Sequence, residues 1–383
     1  MAATKRFLPE SMPLPFSALL PGRARSLAAF PFAAPRCRWY FLGRYALWHG
    51  LRSLRLNEGD EVLIPAYNSG AEVEAVIAAG LSPRFFRVHP DLTPDLSDLQ
   101  KAVTSRTRAL LAIHYFGFPQ PLSELAAYCA RNGLLLIEDC SPALFSRDGP
   151  VPLGAAGVFS IFCLYKTVPV PHGGLLVVND PEIELPAEPH APPPSSDAVE
   201  SLPGMLLKGL EMRHPRMLRW ARRKSRRHPA APRAGDGMVG VVDVERFLPA
   251  DADSGVSVAV RRLALRADPT RVVQARRRNY RLLGSLLPRE IQVLPELPEG
   301  VCPLFLPVIV LDKPAAISSL REKGIALYSY WSLRHPAVPD GAFPEADHLR
   351  AHLLALPVYQ GLSPEDIEYL AEAVSREQAG GLT

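Results

Sequence analysis

From about residue 43 to residue 180, short apolar runs alternate with segments whose apolar residues recur at helical spacing. That alternation decides the fold class. "GRYALWHGLRSLRL", "AEVEAVIAAG", "LSDLQKAV" and "PLSELAAYCARNG" carry the helical pattern, and Gly80 and Gly133 close two of them. Between and after them lie "DEVLIP", "PRFFRV", "RALLAIHYFG", "LLLIEDC", "GVFSIFCLY" and "GGLLVVND", apolar along most of their length. Strands apolar on both sides must be covered on both faces, so the reading is α/β, with a largely parallel sheet between helices. Such sheets collect ligands at the carboxyl ends of their strands. Three chemically able side chains fall at such ends: His114, Asp139 and Lys166.

At 383 residues the chain is too long for one small core. The pattern divides it into a large domain over 1–250 and a small α+β domain over 251–383. In the second part "DPTRVVQARRRNYRLLGSLL" and "SPEDIEYLAEAVS" read as helices, "PLFLPVIVL" and "IALYSYW" as strands. Ser363 and Asp366 form a capping-box-like pair, with Pro364 at the first helical position. A proline-rich and then basic insertion occupies about 181–240. Nine Lys or Arg fall between Met205 and His228, and Pro215 breaks any continuous helix there. A solvated surface excursion accounts for them; the sharper reading is peripheral contact with an anionic surface or acidic partner. A net charge of +4, and Trp220 as the sole aromatic among those charges, speak against nucleic acid.

The cysteines, at 37, 129, 140, 163 and 302, make no CxxC pair. Neither a disulfide framework nor a metal site is expected, which suits a reducing cytoplasm. The N-terminus is broken by prolines and lacks a signal-peptide core. No apolar run approaches the ~20 residues of a membrane span.

Each strand-end group has a plain reading beside its chemical one. Lys166, followed by "HGG", can snorkel from a strand end, or its amine can act as a nucleophile. Asp139 ends a core strand, where a carboxylate is costly unless paired. An arginine would satisfy it, and so would a cationic ligand nitrogen. Gly43 precedes a helix whose first amides suit a phosphate, and Arg44 adds charge-assisted hydrogen bonds; a plain turn is the alternative. In chain order, a helix start at Gly43, an Asp at 139 and a Lys at 166 follow the order in which fold type I pyridoxal-phosphate enzymes use their parts.

The wording carries the likeness further. "LNEGDEVLIPAYN", "VTSRTRALLAIHYFGFPQPLSEL", "GLLLIEDCSPAL", "KTVPVPHGGLLVVND" and "LLALPVYQGLSPEDIEYLAEAV" are similar, in order, to segments of the DegT/StrS-type sugar aminotransferase family. The resemblance covers residues 40 to 180 well and 265 to 375 more loosely. It implies a fold type I transferase: a large domain with a mostly parallel mixed sheet and a small C-terminal domain. It implies pyridoxal 5'-phosphate, with Lys166 as Schiff-base lysine and proton shuttle. Asp139 would hold the ring nitrogen, and Gly43, Arg44 and Tyr45 would hold the phosphate. The substrate expected is a keto-sugar, a nucleotide-linked deoxysugar, with glutamate or glutamine as donor, in a homodimer.

The departures fall at the cofactor's periphery. Arg44 replaces the family's Thr or Ser, Pro142 its Gln, and His172 its Glu. Ser69 stands where a ring-stacking aromatic is usual, which gives that task to Tyr67. Ser160 lies six residues before the lysine rather than five, and is expected at the cofactor. The family's middle "NYR"-like segment is not recognisable around Asp251–Ser257. His335, in "YSYWSLRHPAV", and His114 are the expected substrate-facing residues. Two alternatives stay open: dehydration or a non-sugar substrate on the same cofactor, and a scaffold relative without turnover. Cys163 reads as a buried, inert thiol.

Overall fold

The computed structural model describes residues 6–20, 22–194, 201–213 and 246–380. The first part supplies β1 (Cys37–Tyr40), β2 (Glu61–Pro65), β3 (Ser82–Phe86), β4 (Thr107–Ile113) and β5 (Leu135–Asp139). A small hairpin, β6 (Arg147–Asp148) and β7 (Val151–Pro152), leads to β8 (Phe159–Cys163) and β9 (Gly174–Val178). Seven of these strands form one sheet in the order β1-β9-β8-β5-β4-β2-β3. The five neighbours from β8 to β3 run parallel, while β9 is antiparallel to both β8 and β1. The mostly parallel mixed sheet expected from the apolar runs is therefore present.

Helices cover both faces, as a parallel sheet requires. On one side α1 (Gly43–Ser53) and α2 (Ala71–Ala78) bury Leu47, Leu51, Val73 and Val76 against Val62, Ile64, Ile137 and Ile161. On the other, α3 (Leu96–Ala102) and α4 (Leu122–Asn132) pack Leu99, Leu122 and Leu125 with Leu63, Leu110, Leu136 and Phe162. Alternate residues of β5 and β8 thus face opposite layers, the period-two rule of a strand. Asp95 caps α3 by accepting from the Ser97 and Asp98 amides, and Gly133, at φ +63°, ends α4.

Two strands stop earlier than their apolar runs. β4 ends at Ile113, and His114 begins a tight turn with Phe116 at φ +54°. β8 ends at Cys163, after which the Thr167 and Val168 amides donate to the Leu164 carbonyl. Lys166 consequently sits on a turn just beyond the strand's carboxyl end.

The remaining elements are α5 (Leu202–Arg213), α6 (Val258–Arg266), α7 (Pro269–Leu286), β10 (Phe305–Ile309), α8 (Lys313–Glu322), α9 (Pro344–His352), β11 (Leu353–Pro357) and α10 (Pro364–Gly380). β10 and β11 pair antiparallel, and α7, α8 and α10 pack around them. Their core continues into Ala66, Tyr67, Ile113, Tyr115 and Phe116, so this layer roofs the carboxyl ends of β2 and β4. The capping box is reciprocal: Ser363 N–H donates to Asp366 Oδ2 at 3.0 Å and Asp366 N–H to Ser363 Oγ at 3.3 Å.

"IALYSYW" is not a strand. Only Ile325 makes a bridge, to Leu8, and Trp331 at φ +48° breaks any ladder. Its aromatics pack instead, Tyr330 stacking on Trp331 at 4.8 Å. Of the basic stretch 205–228, residues 205–213 lie on α5 and the rest falls outside the described residues. Among the described residues no helix is long and apolar enough to cross a membrane.

Candidate active site

The carboxyl ends of β5 and β8 meet the N-terminus of α1 around one cavity. Asp139, 1% exposed, closes β5 and accepts the Ser141 amide at 2.8 Å through Oδ1. Lys166 reaches the same cavity from the turn after β8. Gly43 and Arg44 enter from the first turn of α1, which has no side-chain cap and whose Tyr45 and Ala46 amides donate to the Leu42 carbonyl. Glycine is required at this junction. A Cβ on Gly43 would lie 2.5 Å from Cys163 Sγ, and one on Gly174 would lie 2.4 Å from the Leu42 carbonyl. The helix end can therefore sit directly on β8 and β9.

Of the residues expected at the site, Lys166, Asp139, Gly43 and Arg44 line this cavity together. Arg44 also donates through Nη1 to the Arg246 carbonyl at 2.9 Å. The other five lie elsewhere. Tyr45 turns back along α1, packs edge-on against Phe247 at 5.3 Å, and has Asp251 beside its hydroxyl. Tyr67 is sealed between Tyr115 and Trp331, with the Arg350 guanidinium 5.5 Å above its ring. Ser160 points to the opposite sheet face from Ile161 and Cys163, beside Glu138, because side chains alternate along β8.

The two histidines are held by structural partners. His114, fully buried, accepts the Gln120 amide at Nδ1, which leaves the proton on Nε2 for Glu138 Oε2 at 3.0 Å. Glu138 also accepts the Gly154, Ala156 and Gly157 amides, and these hydrogen bonds keep its carboxyl below its usual range despite burial. Cys140 lies within 4.8 Å of this pair, but both ring nitrogens of His114 are already used. His335 accepts the Ala337 amide at Nδ1 and meets Glu74 on α2 at 2.9 Å. His172 packs on Phe41 at 4.8 Å, and burial pushes its pKa down to about 4.

One site residue escaped the sequence reading. Glu72, in the first turn of α2, lines the cavity with Asp139 and Lys166. Its Oε2 accepts both the Ser69 amide (3.1 Å) and the Ser69 hydroxyl (2.8 Å). Burial, and then the nearby Asp139 charge, push its carboxyl up to about 7. An acid in a first turn reads from sequence as a dipole complement, so its inward direction carried no separate signal. Cys163 lines the cavity too. Burial raises its thiol pKa, the physical condition of an inert cysteine.

The cavity thus offers an amine, two carboxylates and a helix end suited to an anion. The comparisons agree with that chemistry. Residues 43–188 match the model of the DegT/DnrJ/EryC1/StrS aminotransferase family. Among curated relatives, the UDP-N-acetyl-3-dehydro-alpha-D-glucosamine 3-aminotransferase of Acidithiobacillus ferrooxidans is 32% identical over 146 residues, 37% of this chain and 40% of that one. The chain thus matches about two fifths of the length of that relative. Helicobacter pylori PseC, an aminotransferase involved in the biosynthesis of pseudoaminic acid, shares the fold with a TM-score of 0.68 at 16% identity, over 98% of this chain and 100% of PseC. The Escherichia coli GDP-4-keto-6-deoxy-D-mannose-3-dehydratase, solved with bound hydrated PLP, has a TM-score of 0.64 at 16% identity, over 92% and 90%. The matched segment, 43–188, carries Gly43, Asp139 and Lys166, and in this segment the chain is similar to the DegT/DnrJ/EryC1/StrS aminotransferase family.

Proposed function

We propose that this chain is a pyridoxal-phosphate-dependent aminotransferase that transfers an amino group from glutamate or glutamine to a keto-sugar, a nucleotide-linked deoxysugar. The observation that carries the reading is the convergence of Lys166, Asp139 and the N-terminus of α1 on one cavity. The donor set fits the cofactor. A buried carboxylate at Asp139 suits a pyridinium N–H, a lysine suits an aldehyde, and the first-turn amides, brought close by Gly43, suit a phosphate. Arg44 adds a cation at that end.

When bound, the cofactor supplies an electron sink for breaking a bond to hydrogen at the amino-bearing carbon. Lys166 Nζ would hold the cofactor and, with its amine free, would move that proton. The task needs the neutral amine. Asp139, fixed by the Ser141 amide, would hold the ring nitrogen. Glu72, with its carboxyl pushed up to about 7, carries a proton part of the time and so limits the negative charge crowded against Asp139.

The same reading takes 251–383 as a small domain, the assembly as a homodimer and the location as cytoplasmic. The test incubates the protein with pyridoxal phosphate, glutamate or glutamine, and a panel of nucleotide-linked keto-sugars, with mass detection. An amino-sugar formed by wild type and absent with Lys166→Ala supports the proposal. Failure of every donor to convert the cofactor to its amine form overturns it. The departures at Arg44, Ser69 and Pro142 motivate a second reading, dehydration on the same cofactor. In the same assay it appears as loss of water from the sugar without gain of nitrogen.

A further inference from the structure

Arg276, on α7, is the largest fully buried side chain of the described residues, and its guanidinium ends against the turn that carries Lys166. Nε donates to Gln360 Oε1 at 3.0 Å. Nη1 donates to the Pro303 and Leu304 carbonyls at 3.2 and 3.1 Å. Nη2 donates to the carbonyls of Lys166 (3.2 Å) and Thr167 (3.3 Å). Gln360 completes the arrangement by donating Nε2 to the Thr167 carbonyl at 3.2 Å. A guanidinium has five N–H donors, and here each has an acceptor. All the acceptors are neutral oxygens, so no opposite charge offsets the cost of desolvation. An apolar side chain would fill this place at lower cost. What the arginine adds is a fixed direction for two carbonyls.

Those carbonyls, of Lys166 itself and of Thr167, follow directly on the root of the lysine. Lys166 has a long flexible stem, so its amine can be aimed only by fixing the backbone it leaves from. From inside the turn, the Thr167 and Val168 amides already bind Leu164. Arg276 holds the outside, from an element remote in sequence.

We propose that Arg276 is the positioning residue for Lys166, clamping the lysine turn to α7, to the start of β10 and to Gln360. The lysine's role in this proposal rests on the cofactor reading above; the clamp itself rests on the hydrogen bonds.

The test compares wild type, Arg276→Lys and Gln360→Ala in two measurements. The first is hydrogen exchange of the cofactor-free protein. The second is the pH midpoint of the visible band after adding pyridoxal phosphate. Lysine keeps the charge but cannot span both sets of carbonyls. In Arg276→Lys, exchange at Thr167 and Val168 should quicken about tenfold or more while Leu110 and Leu111 of β4 are unchanged, the size expected for losing about one hydrogen bond locally. The band midpoint should move by roughly one pH unit, since the amine's surroundings change. Gln360→Ala should shift both in the same direction by less. If Arg276→Lys does not fold, Gln360→Ala decides alone. Unchanged exchange in the folded variants overturns the clamp, and so does exchange that quickens throughout the chain. If wild type gives no band, the cofactor reading fails, while local quickening still upholds the clamp. A normal band with an unmoved midpoint upholds the cofactor and overturns the positioning role.

Discussion

On the proposed reading, Lys166 is the residue on which the chemistry turns. Replacing it by alanine should lower transamination by roughly a thousandfold or more, the range expected when a proton-transfer group is removed. Steady-state rates at saturating donor check this. Glu72 gives a pH prediction. Its folded pKa, about 7, lies above the ordinary value of 4.5, so the folded state binds the extra proton. Its contribution to stability is complete below pH 4.5 and is lost as pH rises towards 7. Glu72→Gln should therefore flatten the fall in Tm of the cofactor-free protein between about pH 5 and 7. A variant whose Tm profile runs parallel to wild type would contradict the raised pKa. At this scale the sequence was only half legible. That Lys166 and Asp139 line one cavity could be read because position at or just beyond a strand's carboxyl end fixes where a residue sits. Ser160, Tyr45 and Tyr67 were misplaced because position along an element does not fix which way a side chain points. His335 was misplaced because its partner, Glu74, comes from a distant helix.

At the scale of elements, the contact between α1 and the antiparallel β9 sets the end of the cavity proposed to take the phosphate. Gly174→Ala would push a methyl into the Leu42 backbone, which cannot move aside as a side chain tip can. The expected cost is about 1–3 kcal/mol in urea unfolding, with weaker cofactor binding. The parallel strands and their helices were legible from periodicity, since each element carries its own pattern and cap. The strand ends were less so. "HYFG" and "LY" continue the apolar runs of β4 and β8 but belong to turns: Tyr115 and Phe116 are buried under the C-terminal layer, and Leu164 packs into the core on the α3 and α4 side of the sheet. "IALYSYW" failed in a similar way: Tyr330 and Trp331 are buried by packing rather than by pairing in a ladder.

For the whole molecule, two buried arginines tie the C-terminal elements to the sheet, Arg276 at the lysine turn and Arg350 at the end of β2. Arg350 donates to the carbonyls of Ala66, Asn68, Trp331 and Leu333. Arg350→Met strands those carbonyls and should cost about 3 kcal/mol or more, read as a lower denaturant midpoint. Neither tie was visible in the sequence, where an arginine on a helix reads as solvated surface. The central claim is that this assembled molecule holds pyridoxal phosphate on Lys166. The most direct test is the visible spectrum of the protein incubated with pyridoxal phosphate, before and after borohydride, beside Lys166→Ala. The account predicts a yellow band in wild type that borohydride abolishes and that the variant never forms. A colourless wild type, or a variant with the same reducible band, would contradict it.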